Sequence, residues 1–276
     1  MPATPAWPPK SAPRLFVDHE LAMGLALQLE GKQAHYLGKV MRVKTGDAVI
    51  VCDNITGEWA TRVTDKAKRS VSLEVAEQLR PREDVPDLWL CPALLKKDRF
   101  DLVLEKATEL GAARIQPVIT RRCVADKLNL DRASTVTTEA AEQCARTALP
   151  EVGEPLKLDA LLKDWPEDRA LFFADEGGGE PAAQAFGTRE SQRRLGPPAN
   201  ERQHEGGPSL RWDSHRKAAI LIGPEGGFDD AERAAIRAHP QATPISLGPR
   251  ILRGETAAIA ALSVWMTQAG DWSGKE

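Results

Sequence analysis

Two runs decide how this chain reads: Leu221-Ile222-Gly223-Pro224-Glu225-Gly226-Gly227-Phe228 and Ser246-Leu247-Gly248-Pro249-Arg250-Ile251-Leu252-Arg253-Gly254-Glu255-Thr256-Ala257. Each begins where an apolar stretch stops, and each leads into a helical pattern. Glycine tolerates positive φ and close backbone approach, so such turns bring main-chain N–H and C=O groups against a ligand. A pair of them at the strand ends of an α/β sheet makes a place for a small molecule. One Gly-rich turn alone is an ordinary connection. The pair, carrying Glu225, Arg250, Arg253 and Glu255, points to a site.

Working outward, strand and helix patterns alternate around these loops. Residues 88–95 and 114–119 read as strands, and residues 170–174 and 218–222 are apolar runs of the kind buried on both faces of a parallel sheet. From Asp98 a helix carries Phe100, Val103, Ala107 and Leu110 on one face, and Gly111 ends it as a C′ residue. Residues 131–147 form a second helix. Asp229 with Glu232 makes a capping box, and a last helix begins near Glu255. The alternation predicts an α/β domain over residues 87–272. Gly177-Gly178-Gly179 lacks a helix-opening pattern and reads as only a loop. Residues 187–217, polar and rich in Arg, Gln, Gly and Pro, read as a flexible insertion.

Ahead of this domain, residues 14–80 hold several short strands linked by turns and predict a small β-barrel. Residues 81–86 are a proline-flanked polar linker. Residues 1–13, broken by prolines and without a signal-peptide core, read as a disordered leader.

Composition excludes several classes. No apolar run is long enough to span a bilayer, so the expectation is a soluble, cytoplasmic protein with no membrane partner. The net charge of −3 announces no global field for nucleic acid. Cys52, Cys91, Cys123 and Cys144 are far apart in sequence, as are the five histidines, so no metal site is expected. The Gly223–Gly227 run lacks the Gly-Lys-Ser/Thr ending of a phosphate-binding loop. A local basic edge is present all the same. In a parallel sheet, Lys96, Lys97, Arg121 and Arg122 fall at strand C-terminal ends, on the edge that carries the glycine loops, and Arg146 lies late in the following helix. Asp101, Glu105 and Glu109 share a helix face and read as a solvated acidic face pairing with Lys106.

The two C-terminal runs closely resemble the signature of the bacterial small-subunit ribosomal RNA uridine-N3 methyltransferase family of the SPOUT superfamily. Arg14-Leu15-Phe16, His35-Tyr36-Leu37, Val40-Met41-Arg42 and Gly46-Asp47 resemble that family's N-terminal domain. Residues 105–111, Arg121-Arg122-Cys123 and residues 139–146 resemble its catalytic domain. Met41 replaces the usual leucine, and the insertion at 187–217 is longer than the family pattern.

The resemblance implies a PUA-like RNA-binding barrel and a SPOUT α/β domain tied in a trefoil knot. It also implies a homodimer, S-adenosylmethionine as cofactor, and a target uridine near the decoding site of small-subunit ribosomal RNA. The substrate is the RNA or the assembled small subunit. It assigns the cofactor to Leu221, Ile222, Gly223, Pro224, Gly226, Gly227, Ser246, Leu247, Gly248, Arg250, Ile251, Leu252, Thr256 and Ala257. Arg253 becomes the catalytic cation, with Glu225 or Glu255 as orienter or base. Arg14, Arg42, Lys44, Lys96, Lys97, Arg121, Arg122 and Arg146 become candidate RNA contacts. Two other readings are a non-catalytic RNA-binding or ribosome-assembly protein on the same fold, and a SPOUT methyltransferase with a different RNA target.

Overall fold

The computed structural model describes residues 7–187 and 217–272. Residues 188–216, within the expected insertion, lie outside the described ones, as do residues 1–6 of the expected leader. The chain forms two compact units. The first takes Met1–Asp84 and Ala141–Leu149; the second takes Val85–Ala140 and Pro150–Glu276.

In the first unit, β1 (Arg14–Phe16), β3 (Ala48–Cys52), β4 (Gly57–Lys66), β5 (Ser70–Pro81) and β2 (Ala26–Glu30) form one sheet in that order. β1 runs parallel to β3, and the other pairs are antiparallel. β4 and β5 pair with three register shifts, and such bulges add the twist that curls a sheet. Leu27 and Leu29 of β2 alternate inward onto Val49, Val51, Val63, Val71 and Leu73. β3 is apolar throughout because both its faces are covered. Val49 and Val51 point into the curl, while Cys52 packs outside it with Phe16, Ala141 and Leu149. Burial pushes the Cys52 thiol up to about 12, so it is no nucleophile.

Residues 141–149 return to this unit from the later part of the chain. Phe16 N–H donates to Glu142 Oε1 (2.9 Å), Leu149 N–H to Asn54 Oδ1 (2.7 Å), and Thr147 N–H to Glu83 Oε1 (2.7 Å). Arg146 is carried along. It is 4% exposed and ion-paired with Glu83 (3.8 Å), so the expectation that it contacts RNA is corrected: its side chain is packed inside the first unit.

In the second unit seven strands run parallel in the order β12 (Glu180–Pro181), β14 (Ala242–Ser246), β11 (Ala170–Ala174), β13 (Ala218–Ile222), β6 (Leu88–Pro92), β7 (Arg114–Ile115), β9 (Glu151–Val152). The single strand expected over 114–119 is two. Pro117, which has no N–H to give a ladder, separates β7 from β8 (Val118–Ile119), and β8 pairs instead with β10 (Leu156–Lys157).

The central strands alternate between two cores. Leu88, Leu90, Phe172, Ala218, Ile220 and Ile222 face one side. Helices α2 (Lys97–Glu109), α5 (Ala182–Gly187) and α7 (Gly254–Gln268) cover it, with Phe100, Phe186 and Trp265 fully buried. Cys91, Leu171, Phe173, Ala219 and Leu221 face the other side, under α4 (Leu158–Lys163) and α6 (Asp230–Ala238). This two-sided burial is why these strands read as unbroken apolar runs. Helix α3 (Leu130–Cys144) completes the set. The expected caps form: Gly111 has φ +87° after α2, and Asp229 and Glu232 close a capping box on α6.

Candidate functional site

Because β14, β11 and β13 are adjacent and parallel, the loops that follow them emerge on one edge. They enclose a cavity of about 210 Å³. Ile222, Gly223, Pro224 and Gly227 line it from the loop after β13. Ser246, Leu247, Gly248, Arg250, Ile251 and Leu252 line it from the loop after β14, and Gly254 and Ala257 from the start of α7.

The loop after β13 is pinned from below. Arg122 Nη1 donates to the carbonyls of Gly226 (2.7 Å) and Phe228 (3.5 Å). Gly227, at φ +65°, closes a turn onto Pro224 O (2.9 Å). The Phe228 ring is buried edge-on against Phe173, centroids 6.5 Å apart, and a Cβ on Gly223 would meet that ring at 3.1 Å. Asp229 then caps α6. The Glu232 N–H bond, seconded by the Arg121 guanidinium (2.9 Å), holds the Asp229 carboxyl below its ordinary value. The loop after β14 is open by contrast: Ile251 is 85% exposed.

Close approach also shapes the start of α7. A Cβ on Gly254 would stand 3.1 Å from Leu95 Cδ2 and 3.5 Å from Gly223 O, so the two glycine runs meet where neither has a side chain.

A third loop, after β11, completes the wall with Ala174, Asp175, Glu176 and Gly178. Read as only a loop from its glycine run, it is part of the site. Asp175 anchors it: its fully buried carboxylate takes Arg237 (2.6 Å), Arg233 (3.1 Å) and the Gly177 N–H (2.8 Å). The acidic residue beside a glycine run was the available signal, but its partners lie on α6, about sixty residues away.

Resemblance placed fourteen residues around the cofactor, and eleven of them line the cavity. The others do not. Leu221 points to the opposite core, because β13 alternates and Ile222 takes the cavity side; Gly226 and Thr256 are exposed on the outside of their turns. None of Glu225, Arg253 and Glu255 lines the cavity. Glu225 and Arg253 are exposed next to residues that do. Glu255 is buried, and its Oε1 takes Arg99 Nη1 at 2.6 Å, an ion pair from α7 to the first turn of α2 that sequence reading did not see.

The basic edge is partly engaged in structure. Lys96 and Lys97 are exposed, whereas Arg121 and Arg122 turn onto the β13 loop and the cap that follows it. In the first unit, Arg14 pairs with Glu58 (2.9 Å), and Arg42 and Lys44 are exposed. Among the described residues no group of three His, Cys, Asp or Glu side chains is placed to hold a metal ion. Burial raises the Cys91 thiol to about 12, which removes it as a nucleophile.

Comparison with known proteins now adds to this geometry. The profile of the RNA methyltransferase domain matches residues 82–266, and that of the RNA methyltransferase PUA domain matches residues 29–76. Ribosomal RNA small subunit methyltransferase E of Synechocystis is 32% identical over 255 residues, covering 91% of this chain and 76% of that protein. The chain belongs to the ribosomal RNA small subunit methyltransferase E family. Its counterpart in Rickettsia conorii is 29% identical and covers 91% of this chain and 93% of that protein.

Among solved structures, a Legionella pneumophila protein described as a methyltransferase in complex with bound SAM has a TM-score of 0.76 and 28% identity. The match covers 94% of this chain and 99% of that one. The family member from Neisseria gonorrhoeae, solved with S-adenosyl methionine, also scores 0.76, at 25% identity, covering 95% and 99%. The fold is thus the family's: a SPOUT-type α/β domain in the second unit and a PUA-like curled sheet in the first.

Proposed function

We propose that this chain transfers a methyl group from S-adenosylmethionine to N3 of a uridine near the decoding site of small-subunit ribosomal RNA, and that it does so in the cytoplasm as a homodimer. The observation that carries the reading is the cavity at one edge of the parallel sheet. Three loops of this one unit wall it, with Gly178, Gly223, Gly227, Gly248 and Gly254 in the lining.

The residues present fit such a cofactor. Ile222, Leu247, Leu252 and Ala257 offer apolar faces to a flat base. The main chain of 222–224 and 247–252 offers donors and acceptors to its edge. Glu176 places a carboxylate at the wall, where ribose hydroxyls or a cationic centre find an acceptor. Adding Cβ atoms at Gly248 or Gly178 would meet no protein atom within 4 Å, so the space beside them is open for a ligand. The knotted path of these loops belongs to the same reading. Its support is family membership and the close approach of the two glycine runs, where a Cβ added to Gly254 would stand 3.5 Å from Gly223 O.

When bound, the cofactor supplies an electrophilic methyl group on a sulfonium, which departs as a neutral thioether. What the chain must do is make uridine N3 a nucleophile. The N3–H proton has to leave, and the negative charge then spread over the ring has to be stabilised. Arg253, exposed at the N-terminal cap of α7, is assigned as the cation that stabilises that charge. Glu225, exposed on the β13 loop, is the carboxylate free to accept the proton. Glu255 is already engaged by Arg99 and acts as the brace that sets the start of α7. Holding methyl and N3 in line supplies the remaining acceleration.

The test is incubation with labelled cofactor and unmethylated small subunits, followed by mapping of the modified nucleotide. Methylation at uridine N3 is the expected result; label on a ribose or on another base overturns the reading. Arg253→Ala should bind cofactor by calorimetry as the wild type does and lose transfer by about 100- to 1,000-fold, the range for removing one group that stabilises transition-state charge.

A further inference from the structure

The cavity has a charged end that the two glycine runs do not supply. Where the third loop meets α6, the lining holds Glu176 and Arg233. Arg233 stands in the first turn of α6 with its side chain 28% exposed, between the buried clamp beneath it and the open space of the cavity.

Asp175 places that side chain. Its fully buried carboxylate is shared by two guanidinium groups. Arg237 takes one oxygen twice, with Nε at 2.9 Å and Nη2 at 2.6 Å, and Nη2 also donates to Gly178 O (2.9 Å). Arg233 Nε stands 3.1 Å from the other oxygen, which the Gly177 N–H already holds at 2.8 Å, and this Nε makes no directed hydrogen bond. One carboxylate neutralises one guanidinium. Arg237 is fully engaged and does not line the cavity, so the surplus positive charge falls on Arg233, which does. The next carboxylate, Asp230, is 4.0 Å from Arg233 Nη1 and fully exposed, where water screens the pair. Among the described residues neither Nη of Arg233 donates a hydrogen bond.

Glu176 does not quench this charge. The two side chains form no ion pair, and Glu176 leans instead on Gly227, where an added Cβ would meet Oε2 at 2.8 Å. Arg250, the other cation in the lining, is exposed on the looser loop after β14. Arg233 springs from a helix and is already steadied by Asp175, so it loses less freedom when it meets a ligand.

S-adenosylmethionine carries two cationic centres, the sulfonium and the α-ammonium, and one anionic group, the α-carboxylate. A guanidinium with unspent charge and donors repels the first two and attracts only the third. We propose that Arg233 receives the α-carboxylate of the cofactor and so selects ligands that carry an amino-acid end. The proposal rests on the methyltransferase reading for the identity of the ligand; the surplus charge on Arg233 does not depend on it.

The experiment is calorimetric titration of the full chain with S-adenosylmethionine and with decarboxylated S-adenosylmethionine, which lacks the carboxylate alone. The wild type should bind the decarboxylated compound about 10- to 100-fold more weakly, the range for one hydrogen bond to a charged group. Arg233→Met keeps the apolar stem and should bind the two ligands within about twofold of each other. Arg233→Lys keeps the charge without the planar fork and should recover part of the preference. Arg237→Met loosens the same carboxylate from outside the cavity; it should weaken both ligands together and keep their ratio. Because the ratio is taken within one protein, a lower folded fraction in a variant cancels. A wild type without the preference overturns the proposal, as does an Arg233→Met protein that keeps it. An Arg237→Met protein that loses the preference as completely also overturns it, since the effect would then run through the loop. A wild type that binds neither ligand counts against the methyltransferase reading itself, and the proposal falls with it.

Discussion

In the loop after β13, Arg122 holds two carbonyls, Phe228 is buried against Phe173, and a capping box follows at once. In the loop after β14, residues 248–252 make one hydrogen bond among the described residues, from Gly248 N–H to Ser246 Oγ at 3.3 Å. Both line the same cavity. One wall is held by the protein whether or not a ligand is there, while the other has exposed side chains and few bonds of its own. A preformed wall lowers the ordering cost of binding; a looser one lets a ligand or a second surface supply the missing contacts.

The comparison breaks most readily at Phe228. Phe228→Ala empties a buried ring site and should cost about 3–5 kcal/mol in denaturant unfolding, taking cofactor affinity down with it. A cost under about 1 kcal/mol would show that the β13 loop is not pinned through its aromatic anchor. Arg122→Ala comes next. It removes the bond to Gly226 O from an exposed side chain and should cost about 1 kcal/mol, with a several-fold loss of cofactor affinity in calorimetry. A loss of RNA binding with cofactor affinity intact would return Arg122 to the role of RNA contact.

A pH series sharpens the same contrast. Glu232 N–H and then Arg121 depress the Asp229 carboxyl, so its charged form is favoured in the fold. Its contribution is present above the ordinary aspartate value of 3.8 and is lost as pH falls through the lower folded value. Asp229→Asn should therefore flatten acid unfolding in that window; an unaltered acid limb would show that the cap does not depend on charge. The smallest effect on stability is expected at Ile251. Ile251→Ala should change unfolding by less than about 0.5 kcal/mol, because the side chain is 85% exposed, yet weaken cofactor binding. A large stability loss instead would place Ile251 in a packed interface.

How far the chain could be read from its residues differs by element. The apolar runs of β6, β11 and β13, the C′ role of Gly111, the Asp229–Glu232 box and the curled first unit all rest on local patterns, and each formed. The polar face of α2 behaves as read at Lys106, held between Glu105 (2.7 Å) and Glu109 (2.9 Å), but Asp101 pairs instead with Arg132 (2.6 Å). The partition of Leu221 and Ile222 to opposite faces followed from strand alternation, but which face bears the cavity did not. Arg146 looked like a surface cation because its helix pattern said nothing of the first unit, onto which residues 141–149 fold back.

The sequence by itself determined that two glycine runs end two buried parallel strands, and family membership followed from those runs and their surroundings. Periodicity and turn chemistry act over a few residues, and there the chain is explicit. Only the tertiary structure decided that a third loop, anchored by Asp175 on Arg233 and Arg237, closes the cavity, and that Glu255 is committed to Arg99, 156 residues away. Strand order and helix docking choose such partners, and those depend on packing the whole sheet at once, which no local pattern encodes.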